Sequence, residues 1–318
     1  MKVSVVIPIY NEQDNIVPLY EELKQVMQEL GVEWEVVFVD DGSTDASWER
    51  LATLARSEPT VKAVRLRRNF GQTAAMSAGF DHASGDVVVT MDGDRQNDPR
   101  DIPKLLAKLA EGYDLVAGWR RDRKDPWLTR VLPSRLANGL ISLVTGVKLH
   151  DYGCTLKAFR AEVVRSLRLY GEMHRFIPAL ASAMGAGIAE VEVNHRPRVA
   201  GRSKYGLGRT VRVILDLIAV KFLLSYSTRP IQIFGLWGLV ATAAGIALGL
   251  FYTLQKFIFG EPLWGKPGLI LVVLLVLVGV QLISIGLLGE LQVRTYYEAQ
   301  GKPIYAVREV LGGSGGGR

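Results

Sequence analysis

The chain has 318 residues, 48% of them hydrophobic and 22% charged, with a formal net charge of +6. That length sets a prior of roughly two domains, and the apolar content excludes a wholly disordered chain. The single cysteine, Cys154, excludes an internal disulfide and fits a reducing compartment, while four scattered histidines show no metal-ligand spacing.

Apolar runs and amphipathic runs alternate through the first half. Strands are expected at 3–9, 35–39, 61–66, 86–91 and 114–118. Helices are expected at 13–30, from a Ser43/Thr44 cap to 56, at 72–82, and from Asp98 as N-cap with Pro99 at the first helical position. This alternation implies an α/β domain with a mostly parallel, Rossmann-like sheet covered by helices. Met1-Lys2 runs directly into the first strand, so no signal peptide is expected.

Three polar motifs fall at carboxyl ends of these strands, the edge where open α/β sheets bind ligands. They are Pro8-Ile9-Tyr10-Asn11-Glu12, Val39-Asp40-Asp41-Gly42-Ser43-Thr44-Asp45 and Met91-Asp92-Gly93-Asp94-Arg95-Gln96. Each alone also reads as a strand end, a turn or a helix cap. Asp92 and Asp94, two residues apart, share one side of an extended chain. Two like charges so placed repel unless a cation lies between them, and a hard divalent ion carrying phosphate oxygens fits. Glu12, Asp40, Asp41, Asp92 and Asp94 converging on one crevice suit a nucleoside, whose ribose hydroxyls and base N–H groups donate to carboxylates. Neither Gly-x-Gly-x-x-Gly nor Gly-x-x-x-x-Gly-Lys-Ser/Thr is present, which argues against a dehydrogenase or an ATPase.

The last third differs in kind. Residues 231–253 and 268–289 contain no charged side chain, and each stretch exceeds the ~18–20 apolar residues that cross a bilayer. Buried core helices are the alternative, but such helices rarely stay apolar on every face. Arg209, Arg212, Lys221 and Arg229 precede the first stretch and Arg294, Lys302 and Arg308 follow the second, against Lys256 and Lys266 between them. The basic bias places both termini and the α/β domain in the cytoplasm, at the inner (plasma) membrane. The net positive charge suits anionic lipid. Nucleic-acid binding is disfavoured, because the basic residues cluster near the spans and not on a module interleaved with aromatics. Segments 127–145 and 211–226 have the mixed character of interfacial helices. Gly235, Gly238 and Gly245 offer close helix contacts in a homo-oligomer. The expected organisation is 1–208, the α/β domain; 209–229, juxtamembrane helices; 230–292, two spans; 293–311, a cytoplasmic C-terminal segment; and 312–318, a flexible tail or cloning scar.

Together the three motifs resemble family 2 glycosyltransferases with the GT-A fold, above all the dolichol-phosphate mannose synthase group and its bacterial polyprenyl-phosphate glycosyltransferase relatives. Asp151-Tyr152-Gly153-Cys154 and Gly201-Arg202-Ser203-Lys204-Tyr205-Gly206 belong to the same pattern, which covers nearly everything before the tail. The commoner form of the third motif is Asp-Ala-Asp-Leu-Gln; here Gly93 and Arg95 stand for Ala and Leu, and the resemblance leaves Arg95 without a role.

The resemblance implies that Pro8, Tyr10, Glu12, Val39 and Asp41 line a nucleoside pocket. Asp94 and Gln96 would ligate Mg²⁺ or Mn²⁺, with Asp92 supporting the metal or ribose side and Gly93 between them. Asp151 would orient a sugar hydroxyl or act as a weak base; its plainer reading is a turn aspartate. Arg202 and Lys204 would hold the acceptor phosphate from a mobile Gly-rich loop, or form a solvated basic linker. Arg120, Arg130 and Arg135 are further phosphate candidates. A polyprenyl monophosphate acceptor needs no general base, because its second ionisation lies near pH ~6; it attacks the anomeric carbon with inversion. UDP-glucose is the expected donor, with GDP-mannose and an aminoarabinose donor open. A processive synthase would carry Gln-x-x-Arg-Trp, which is absent. A non-catalytic membrane-anchored scaffold for a flippase would not need Asp92, Asp94 and Gln96 intact.

Overall fold

The computed structural model describes residues 1–121, residues 138–197 except 140, 144, 170 and 172, residues 303–313, and positions 277, 281, 284, 288, 291, 292 and 295. The chain forms two compact units, Met1–Leu217 with Pro303–Arg318, and Ile218–Lys302. All elements below belong to the first. Apart from positions 277, 281, 284 and 288, the two expected spans lie outside the described residues, among which no helix is long and apolar enough to cross a membrane.

Strand β1 (Lys2–Ile9) is buried along almost its whole length, as a central strand covered on both faces must be. Helix α1 (Ile16–Leu30) follows, with Ile16, Leu19, Tyr20, Leu23, Val26 and Met27 on its buried face at helical spacing. It ends at Gly31, whose φ of 63° is the left-handed cap conformation. Then come β2 (Glu33–Asp40), α2 (Ser47–Ser57), β3 (Val61–Leu66), α3 (Gln72–His82), β4 (Val87–Thr90), α4 (Ile102–Ala110) and β5 (Leu115–Trp119). A 3₁₀ turn, Pro99–Asp101, opens α4, and Asp98 caps it by accepting from Arg100 N–H at 3.0 Å.

Strands β1, β2, β3 and β4 are parallel, in the order β4-β1-β2-β3. The chain steps outward from β1 to β3 and then returns to the other side of β1. The connection order therefore reverses between β1 and β4, the place where open α/β sheets bind ligands at the carboxyl ends of their strands.

Three strands were not expected from the sequence. β6 (Lys157–Arg160) lies antiparallel between β4 and β5, and β7 (Ile188–Glu192) runs parallel to β5 at the edge. The sheet is thus mixed, although its site-forming half is parallel. β8 (Val307–Gly312) pairs antiparallel with β3, closing what would otherwise be an open edge. These strands are four to six residues long and interrupted by charged residues, so they lack the apolar runs that marked the others. The segment 293–311 accordingly contributes a strand to the first unit, and Gly312 belongs to that strand, not to a tail. A Cβ at Gly312 would lie 2.1 Å from the Val61 carbonyl oxygen. Tyr305 holds the same segment against α3, donating to Asp81 Oδ2 at 2.6 Å.

Candidate active site

The loops after β1 and β2 are stitched to each other. Asn11 N–H donates to Ser43 Oγ at 3.0 Å, Thr44 N–H to Asn11 Oδ1 at 2.8 Å, and Glu12 N–H to Ser47 Oγ at 3.0 Å. The Ser43/Thr44 region is therefore a bridge between strand ends, and α2 begins at Ser47. Gly42, at φ 70°, lets this loop pass the backbone of Arg68 and Asn69; a Cβ there would meet both at 2.5 Å.

Tyr10 and Glu12 are half-buried at the end of β1, and Glu12 accepts from the Asn15 amide at 2.7 Å. Pro8 pairs with Val39 across the β1–β2 ladder. Val39 itself is fully buried, and it packs towards Gly79 of α3, so it can offer a ligand only its main chain. Asp41 is buried too. Its two oxygens accept from Phe70 N–H at 2.7 Å and Gly71 N–H at 2.9 Å, so its first role is to shape the entry to α3. Burial pushes its carboxyl up to about 6 despite those donors. Asp40 is raised as well, by burial first, and its Oδ2 has no hydrogen-bond partner; Arg65 Nε stands 3.7 Å away.

Across the crevice, the loop after β4 carries the second acid pair. Asp92 Oδ1 accepts from Gln72 Nε2 at 3.0 Å and Oδ2 from Thr155 Oγ1 at 2.6 Å. Its N–H donates to Asn97 Oδ1 at 2.9 Å. Even so, burial and then the Asp94 charge raise the Asp92 carboxyl well above its ordinary range. Asp94 accepts from Gln96 N–H at 3.1 Å within a tight turn. Gly93 lies against β1, where a Cβ would meet Ile9 Cδ1 at 2.5 Å; that contact accounts for glycine in place of the commoner alanine.

Asp151 and Arg120 form a buried pair, with Arg120 Nε 2.7 Å from Oδ2 and Nη2 3.0 Å from Oδ1. Such a fork is among the strongest side-chain contacts. Both Asp151 oxygens are engaged by Arg120, and the pair holds the guanidinium in one orientation. Lys157, buried beside them, points its ammonium at the Tyr152 and Cys154 carbonyls, and burial holds its pKa down. Arg130, Arg135, Arg202 and Lys204 lie outside the described residues.

Sequence reasoning missed Gln72, Asn97, Thr155 and Lys157. Thr155 and Lys157 follow the Asp151 motif at alternating positions, a pattern visible only once β6 is known to lie beside β4. His174 was also missed. Its Nδ1 lies 2.8 Å from Thr73 Oγ1, and burial lowers its pKa to about 3, so it is neutral and braces the start of α3.

Among the described residues no group of three or more His, Cys, Asp or Glu side chains is placed to hold a metal ion. The Asp92–Asp94 pair still suits a hard cation. It is an all-oxygen donor set short of positive charge, and ions of the Mg²⁺ type commonly take one or two carboxylates plus substrate phosphates.

Stitched loops after β1 and β2 and a pair of acids after β4 meet at the carboxyl edge of a parallel α/β sheet, where such sheets bind ligands. The chain belongs to glycosyl transferase family 2, whose model matches residues 4–168, and it is a glycosyltransferase. Over 315 residues it is 45% identical to the dodecaprenyl-phosphate galacturonate synthase of Rhizobium johnstonii, covering 98% of this chain and 93% of that protein. It is 39% identical to the undecaprenyl-phosphate 4-deoxy-4-formamido-L-arabinose transferase of Edwardsiella ictaluri, covering 97% and 94%. Its fold matches a crystal structure of glucosyl-3-phosphoglycerate synthase from Mycobacterium tuberculosis in complex with Mn²⁺, uridine diphosphate and phosphoglyceric acid. That match has a TM-score of 0.55 at 22% identity, over 70% of this chain and 78% of the other.

Proposed function

We propose that this chain transfers a sugar from a nucleotide sugar to a polyprenyl phosphate, with inversion. The observation that carries this is near full-length similarity to two relatives named for that acceptor class. We infer a nucleotide-linked galacturonate as donor, ahead of the UDP-glucose expected from the motifs, because the 45%-identical relative is named for galacturonate.

A phosphate oxygen of the acceptor attacks the anomeric carbon while the bond to the donor diphosphate breaks. A dianionic phosphate needs no base, which agrees with an Asp151 committed to Arg120. The protein supplies position and charge. The β1 and β2 loops would hold the nucleoside, and Arg120, fixed by Asp151, would face donor phosphate. Asp92 and Asp94, with Gln96, would hold Mg²⁺ or Mn²⁺. That ion, when bound, neutralises the departing diphosphate. Arg202 and Lys204 would meet the acceptor phosphate. In this reading residues 231–253 and 268–289 anchor the chain in the inner membrane, with the catalytic unit and both termini cytoplasmic and the chain self-associated.

The test is incubation of the full chain in detergent with polyprenyl phosphate, divalent cation and radiolabelled nucleotide-linked galacturonate, UDP-glucose or GDP-mannose in turn. Label entering the organic phase from the galacturonate donor, and lost in Asp94→Ala, is expected. Transfer from glucose alone restores the narrower sequence reading. Donor binding without lipid-linked label from any donor overturns the lipid acceptor and favours the scaffold.

A further inference from the structure

Arg95, which the motif resemblance leaves without a role, is the entry point to a charged clamp. It sits between Asp94 and Gln96 at φ 60°, a left-handed conformation that is unfavourable for a residue with a Cβ. Its guanidinium pairs with one oxygen of Glu22 on α1. The other Glu22 oxygen accepts from Arg196 Nη1 at 2.5 Å, and Arg196 Nη2 reaches Asp98 Oδ1 at 2.6 Å. Two cations and two anions thus balance, all of them partly or fully buried.

The backbone repeats the connection. Arg196 N–H donates to the Gln96 carbonyl at 3.0 Å, and Asn97 and His195 form an antiparallel bridge. Asn194 N–H donates to Asp101 Oδ2 at 2.6 Å. The loop bearing Asp94 and Gln96 is therefore held on one side by α1 and on the other by the segment leaving β7. Because Asp94 Oδ1 is bonded to Gln96 N–H, rotation of the Arg95 backbone out of its left-handed state would turn both groups together.

We propose that Glu22, Arg95 and Arg196 are positioning residues that fix Asp94 and Gln96 for a divalent cation, and that Glu22 is the hub. This rests on the functional reading above, and it extends the metal-binding apparatus to α1 and to the exit of β7.

The test is direct Mn²⁺ binding to the full chain in detergent with UDP present, followed by electron paramagnetic resonance of free Mn²⁺. The variants are Arg95→Leu, Arg95→Lys, Glu22→Gln and the double variant Glu22→Gln/Arg95→Leu. Residues that orient metal ligands typically change affinity 10–100-fold, so Arg95→Leu should weaken Mn²⁺ binding by about tenfold. Arg95→Lys, which keeps the ion pair, should restore most of it. The double variant should lose less than the product of the single losses, as members of one network do. In transfer assays the metal concentration for half activity should rise while the rate at saturating metal stays within about twofold. If Arg95→Leu does not fold, the near-isosteric Glu22→Gln still reports. Unchanged Mn²⁺ binding in the variants, even with lowered thermal stability, would reduce the clamp to fold support and overturn the proposal while leaving the enzyme reading intact. No Mn²⁺ binding by the unaltered chain would overturn both, and would show first in the unaltered protein.

Discussion

Buried carboxylates occupy both ends of the sheet, and their surroundings treat them in opposite ways. Near the amino ends of the strands, Glu35 on β2 accepts at one oxygen from Ser4 Oγ at 2.6 Å, Ser84 N–H at 2.6 Å and Ser84 Oγ at 2.9 Å. Lys2 and Lys62 stand 3.6 and 3.8 Å from the other oxygen. The donors outweigh burial, and the Glu35 carboxyl is held below its usual range. At the carboxyl ends Asp40, Asp41 and Asp92 are raised, each by burial first. At one edge the donors and cations outweigh burial; at the other, burial outweighs the partners that Asp40, Asp41 and Asp92 have. Carboxyls raised by burial cluster at the edge where α/β sheets bind ligands, the pattern that functional sites share.

The comparison can be broken most sharply at Asp94. Asp94→Ala should cut sugar transfer by at least about a hundredfold while leaving thermal stability equal or higher, because it relieves repulsion on Asp92. A matching loss of melting temperature would show that the carboxyl edge is as structural as the amino edge. Glu35→Ala should do the reverse. Removing one partner of a buried, hydrogen-bonded charge group costs about 3 kcal/mol, visible in denaturant unfolding, with transfer per folded molecule unchanged.

Acid sharpens the contrast. The depressed Glu35 contributes stability above its unfolded pKa and loses it as pH falls through the lower folded value. Asp41, raised to about 6, does the opposite: between roughly pH 6 and 4 the folded state binds a proton that the unfolded chain does not, so its contribution improves as pH falls. Relative to Asp41→Asn, the unaltered chain should gain melting temperature from pH 7 to pH 4; relative to Glu35→Gln it should lose it only as pH falls below about 4.5. The smallest effect is expected of Gly93→Ala. Its Cβ would press on the end of the Ile9 side chain, which can move, so a loss within about 1 kcal/mol and a few-fold drop in transfer should follow.

Much of this was legible in the sequence because the signals were local. The apolar runs of β1 to β5 and the period of α1 marked those elements, and α3 was placed to the residue at both ends. Asp92 and Asp94 announced themselves by spacing and by their place after a strand. What stayed hidden depended on partners far along the chain. β6, β7 and β8 are strands because of what they lie beside, and their short sequences, interrupted by charge, are too brief to mark them. Thr155 meets Asp92 across 63 positions and Arg196 meets Glu22 across 174; no motif records either distance.

Sequence by itself determined the family, the carboxyl-edge location of the site and the chemistry of its acids, because strand period, turn residues and paired carboxylates act over a few positions. The tertiary structure decided which of those acids are under-neutralised and which are committed. Asp151 went to Arg120 and Asp41 to the entry of α3, and Glu22 became the partner of Arg95. Charge balance is set by neighbours in space, and only the folded sheet chooses them.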